Sequence, residues 1–138
     1  IYEAAQDTGL LMLLHTGFDL AFERVRRADP ERISRLLEAY PRLRLFTTHM
    51  FAWEDWEEAR RVLLGKPVYT DVSMSIETMP RELVREFLTH HPLEYLLFGT
   101  DSPWIDQRAH IELIRSFHLS PERETALFHG NAQRLLGD

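Results

Sequence analysis

Three short apolar runs of this sequence each lead into a residue that can bind a metal ion or move a proton. His15 follows LLMLL at 10–14, His49 follows LRLFTT at 43–48, and Asp101 comes just after YLLF at 95–98. Two imidazoles and a carboxylate suit a borderline divalent ion such as Zn2+. They also suit general acid–base work. Each has a plainer role when taken singly. His15 could be a buried histidine satisfied by backbone, and His49 a loop start beside Thr47 and Thr48. Asp101, followed by Ser102 and Pro103, could be an Asx-turn or an N-cap. Recurrence at the ends of successive runs is what favours function.

Positioning them requires strands. A fourth run, VYTDV at 68–72, is led by Pro67. LLMLL and YLLF are unbroken apolar stretches, which suit strands covered on both faces, as in parallel sheets. Between the runs the period becomes helical. Ile33, Leu36, Leu37 and Tyr40 form one stripe behind Asp29 and Pro30, an N-cap and first-turn proline. Trp53, Trp56, Arg60 and Leu63 form a second, stopped by Gly65. Leu83, Val84, Phe87 and Leu88 form a third after Pro80. Ile111, Ile114 and Phe117 define a fourth. Ser120 and Pro121 open a short helix, and Gly130 and Asn131 close it, with Asn131 capping the last helix. Strands alternating with helices imply right-handed crossovers and a parallel sheet. In such folds the carboxyl ends of the strands carry the site. The expected class is α/β, one unit over 1–138 built of parallel (β/α) steps.

The other polar residues have lesser expectations. Asp71 lies within a strand, where a strand-end hydrogen-bonding role outweighs pocket lining. His90 and His91 end a helix, a place that favours cations. His110 and His118 read as helix-surface residues, and His129 as a helix closer. Trp53 and Trp56 read as core packing, and Trp104 as a wall of the substrate pocket or a packing residue.

Composition narrows the partners. Of 138 residues, 44% are apolar and 28% charged, enough for a real core. Sixteen Lys and Arg against 22 Asp and Glu give a net charge of −6, a poor match to nucleic acid or an anionic membrane. No cysteine is present, which removes disulfides, thiolate metal sites and a cysteine nucleophile. No apolar run approaches the roughly 18 residues of a transmembrane helix, and no signal-peptide pattern opens the chain. A cytoplasmic location is the expectation.

The segments LLMLLHTG (10–17), FTTHM (46–50), GKPVYTDVSM (65–74), LLFGTDSPW (96–104) and HGNAQRLLG (129–137) resemble the carboxyl-terminal half of the amidohydrolase-related, metal-dependent TIM-barrel hydrolases. The resemblance implies strands five to eight of a (β/α)8 barrel. It places the strand-five histidine at His15, the strand-six histidine at His49 and the strand-eight aspartate at Asp101. His15 and Asp101 would bind a divalent metal, most simply Zn2+. His49 would bind a second ion or polarise substrate, and Asp101 would take the proton of the attacking water. The His-x-His pair of the family's first strand has no counterpart here, and Met50 and Phe51 stand where many relatives have glycine.

The implied activity is hydrolysis of an amide, ester or lactone of a small molecule. The alternatives are a metal-dependent non-oxidative decarboxylase of the same superfamily and a non-catalytic half-barrel that self-associates through its open sheet edges. A full barrel needs about 250 residues. Starting at Ile1, the chain is expected to be half of a catalytic domain, with homo-oligomerisation as a further expectation.

Overall fold

The four apolar runs become β1 (Leu11–Leu14), β2 (Arg44–Thr47), β3 (Tyr69–Asp71) and β4 (Leu96–Leu97) in the computed structural model, which describes residues 1–137. They form one parallel sheet in the order β1-β2-β3-β4. A doubly wound sheet reverses its order at a switch point, whereas an unbroken sequential order is that of a barrel wall. Leu14 pairs with Thr47, Thr47 with Thr70, and Thr70 with Leu96, so one row of side chains crosses the whole sheet. Thr47, Thr70 and Leu96 in that row are buried. The neighbouring row carries Leu13, Phe46 and Tyr69 on the opposite face.

The helices are α1 (Tyr2–Thr8), α2 (Pro30–Ala39), α3 (Trp56–Val62), α4 (Ser75–Thr78), α5 (Arg81–His90), α6 (Gln107–Arg115), α7 (Pro121–Thr125) and α8 (Asn131–Leu136). A π-helical turn, Ala126–Gly130, joins α7 to α8. The core lies between one face of the sheet and this helical layer. Leu45, Val68 and Leu96 pack there with Ile33, Ala59, Leu63, Val84, Phe87, Ile114 and Leu127. Local chemistry starts the helices as expected at two places. Asp29 accepts the Arg32 N–H ahead of α2, and Ser120 accepts the Arg123 N–H ahead of α7.

Several expectations fail for tertiary reasons. Helix α1 carries no marked apolar stripe, with Ala5 its one buried residue, so local periodicity does not announce it. Trp53 lies outside α3, because its N–H donates to the Thr16 carbonyl and Glu54 turns the chain at φ 65°. Asn131 does not cap α8; it is buried and its Nδ2 donates to the carbonyls of Leu93 and Leu96, both at 2.7 Å. His110 is not on the surface: it is fully buried, with Nδ1 2.5 Å from Glu77 Oε1. His91 is no helix-end cation; burial pushes its pKa down to about 4. No helix among the described residues is long and apolar enough to cross a membrane.

Candidate active site

The carboxyl ends of β1 and β2 are locked together by hydroxyls. Thr16 Oγ1 donates to the Thr48 carbonyl at 2.9 Å and accepts the Thr48 N–H at 3.1 Å. Thr48 Oγ1 in turn accepts the Thr16 N–H at 3.2 Å. This clamp holds His15 and His49 edge to face, with ring centroids 5.0 Å apart. His15 is exposed, its Nε2 3.2 Å from the Phe18 carbonyl. His49 is 4% exposed.

The chain leaves β2 through an unusual turn. His49, Met50 and Phe51 have φ of 60°, 50° and 75°, left-handed backbone that costs about 1–2 kcal/mol per non-glycine residue. Met50 and Phe51 are wholly buried, so packing helps to hold the strain. Hydrogen bonds to β3 complete the restraint. The N–H groups of His49, Met50 and Phe51 donate to Asp71 Oδ1, the Asp71 carbonyl and Thr70 Oγ1, each at 2.9 Å. Trp56 Nε1 donates to the His49 carbonyl at 3.1 Å.

Ser73, just past β3, completes the cradle of His49. Its Oγ lies 2.9 Å from His49 Nδ1 and 2.7 Å from Asp71 Oδ1. Sequence reasoning left Ser73 without a role. The available signal was its position two residues after Asp71, on the same face of the strand.

Asp101 follows β4 in an exposed turn, at φ 56°. It lines the same cavity of about 480 Å3 as His15 and His49, together with Trp53, Met74 and Trp104. The three residues singled out in the sequence therefore line one cavity at the carboxyl ends of the strands. Trp104 is 74% exposed at the rim, while Trp53 is buried beneath, its ring edge against His49 and its Nε1 without a hydrogen-bond partner. A larger depression of about 640 Å3, between Leu93 and α7–α8, contains no histidine and no residue of these strand ends. Asp71 has the strand-end hydrogen-bonding role expected of it. His90, His118 and His129 are exposed and do not line the site cavity.

Two imidazoles and a carboxylate are the right donor chemistry for a divalent ion. Among the described residues, however, no three His, Cys, Asp or Glu side chains are grouped so as to hold one. His15, His49 and Asp101 share a cavity without closing a coordination sphere.

The amidohydrolase family model matches residues 1–137, and the chain belongs to that family. Solved structures agree on the fold. A TIM-barrel protein of uncharacterised function from Bordetella bronchiseptica superposes with a TM-score of 0.74 at 24% identity, over 98% of this chain and 48% of that one. A candidate 2-pyrone-4,6-dicarboxylic acid hydrolase from Pseudomonas putida gives 0.62 at 20% identity, over 96% and 53%. A dihydroxybenzoic acid decarboxylase from Polaromonas, with bound manganese and an inhibitor, gives 0.66 at 15% identity, over 97% and 52%. This chain thus spans about half the length of the barrels it matches. No curated protein matches it.

Proposed function

We propose that this chain supplies one half of the active site of a metal-dependent hydrolase acting on an amide, ester or lactone of a small acid. The observation that carries the reading is the meeting of His15, His49 and Asp101 on one cavity at the carboxyl ends of parallel strands. By donor chemistry, His15 and Asp101 would contribute to a divalent site, Zn2+ being the simplest occupant, with His49 as a further donor or a substrate contact. These donors are not grouped closely enough to hold an ion by themselves, and further ligands from a complete barrel are part of the proposal. When bound, such an ion supplies Lewis acidity and a water that ionises near neutral pH.

The remaining work belongs to this chain's own side chains. Asp101, exposed in its turn, takes the proton of the attacking water and returns it to the leaving group. His49, held by Ser73 and Asp71, contacts the substrate as a hydrogen-bond acceptor or, once protonated, as a donor to the developing oxyanion. Trp53 and Trp104 wall the space and limit access of bulk water.

The test is Asp101→Asn in the complete enzyme, assayed against a panel of small amides, esters and lactones. Loss of a general base should cut turnover by about 10²–10⁴-fold while the circular dichroism spectrum stays unchanged. Undiminished hydrolysis would refute the assignment. Release of carbon dioxide from aromatic acids, without hydrolysis, would move the reading to the decarboxylase branch.

A further inference from the structure

The contacts around His49 fix more than its position. Asp71 Oδ1 accepts three hydrogen bonds: His49 N–H at 2.9 Å, Ser73 N–H at 3.2 Å and Ser73 Oγ–H at 2.7 Å. An ionised carboxylate only accepts. Ser73 has a single hydroxyl hydrogen, and Asp71 takes it. Facing His49, Ser73 Oγ can then act only as an acceptor, so Nδ1 at 2.9 Å must be the donor. A second contact reaches the same result independently. The Ser73 carbonyl, which has no hydrogen to give, lies 3.2 Å from the same Nδ1.

We infer that Asp71 and Ser73 are positioning residues that hold His49 in the tautomer with hydrogen on Nδ1 and a free lone pair on Nε2. Nε2 has no hydrogen-bond partner within the described structure, and it is not among the sealed, unpartnered buried atoms. The lone pair is therefore available to the cavity that His49 lines. This limits what a neutral His49 can do there. It can accept a proton or a hydrogen bond, or donate its lone pair to a metal. It cannot donate a hydrogen bond to an oxyanion unless it first gains a proton.

Gly99, next after Phe98, gives the carboxylate its room. A Cβ at that position would lie 3.0 Å from Asp71 Oδ2 and 3.2 Å from both its Cβ and Cγ. The glycine ahead of Asp101 thus sets the strand-three carboxylate, which sets the serine, which sets the histidine. The catalytic meaning of this chain of contacts rests on the hydrolase reading. The tautomer itself does not.

The experiment is long-range ¹H–¹⁵N correlation of the histidine rings in the intact protein, at a pH where His49 is neutral. The expected result is one dominant form of His49, with a pyrrole-like Nδ1 and a pyridine-like Nε2. Ser73→Ala removes one of the two acceptors and should shift the tautomer ratio about tenfold toward Nε2–H, the equivalent of one hydrogen bond. Gly99→Ala, whose added methyl meets Asp71 first, should shift it the same way by displacing that carboxylate. A dominant Nε2–H form in the unmodified protein would overturn the inference. So would a ratio unchanged in both variants when their dichroism shows them folded. If the ring behaves as stated but Asp101→Asn still hydrolyses substrate, the function fails and the positioning stands.

Discussion

Gly17 gives the sharpest single test of how the site is built. It follows His15 and Thr16, with φ of 86°, and its chain runs beside the Trp53 loop as an isolated parallel bridge. A Cβ placed there would lie 2.1 Å from the Trp53 nitrogen, 2.5 Å from the Trp53 oxygen and 2.6 Å from the Ala52 carbonyl carbon. Ordinary heavy-atom contact is about 3.5 Å, so Gly17→Ala must drive the two loops apart by about 1 Å or more. All three atoms belong to the backbone, so no side-chain rotation relieves the clash. Left-handed φ on an alanine costs about 1 kcal/mol, and overpacking about 1–3 kcal/mol. The shift also weakens two hydrogen bonds, Trp53 N–H to the Thr16 carbonyl at 2.9 Å and Phe18 N–H to the Trp53 carbonyl at 3.1 Å. Each contributes about 1 kcal/mol. With both bonds lost the sum is about 4–6 kcal/mol, or a fall in Tm of roughly 14–20 °C for a chain of this size. Thermal unfolding followed by far-ultraviolet dichroism reads this directly. A Tm within about 3 °C of the unmodified protein would mean that the loops separate freely and that the close approach does not hold the site.

His91 should make stability depend on acid. Burial pushes its pKa down from 6.5 to about 4, and the neutral ring is satisfied on both sides, by the Val68 carbonyl at Nε2 and the Gly65 N–H at Nδ1. The unfolded chain therefore binds more protons than the folded one between about pH 6.5 and 4. Stability is complete above 6.5 and falls by about 3 kcal/mol by pH 4. Urea midpoints at the two pH values should differ less in His91→Gln, and an identical pH dependence in that variant would contradict the account. Asn131→Asp puts a carboxylate oxygen where Nδ2 now donates to two carbonyls, and should cost about 2–3 kcal/mol through the lost bonds and the repulsion that replaces them, even with Arg134 on the other oxygen; an unchanged urea midpoint would refute it. Asp29→Ala removes the cap of α2 and the Arg32 ion pair, with an expected loss of about 1–2 kcal/mol in the same measurement.

Much of this arrangement was legible in the sequence because it is local. A run such as LRLFTT and a stripe such as Ile33, Leu36, Leu37 and Tyr40 report the backbone period directly. Asp29 and Ser120 cap helices through partners three residues away, within reach of sequence reasoning. The placing of His15, His49 and Asp101 at strand ends needed only the run boundaries and the parallel topology those runs imply.

Tertiary structure decided what depends on residues distant in the chain. His110 shares a face with Ile114 and Phe117 at i, i+4 and i+7, a signal of burial that its polarity masked, and its partner Glu77 comes from another helix. Asn131 looked like a cap until the carbonyls of Leu93 and Leu96 took its amide. Trp53 fits a helical stripe by spacing, yet its backbone is drawn into the Gly17 loop. Ser73 follows Asp71 on the same face of its strand, but only the adjacency of β2 and β3 brings it to His49. The sequence by itself determined which residues end the strands and so which could react. The fold alone determined how they are held, because hydrogen bonds across a parallel sheet join residues some 20 to 30 positions apart that no local period relates.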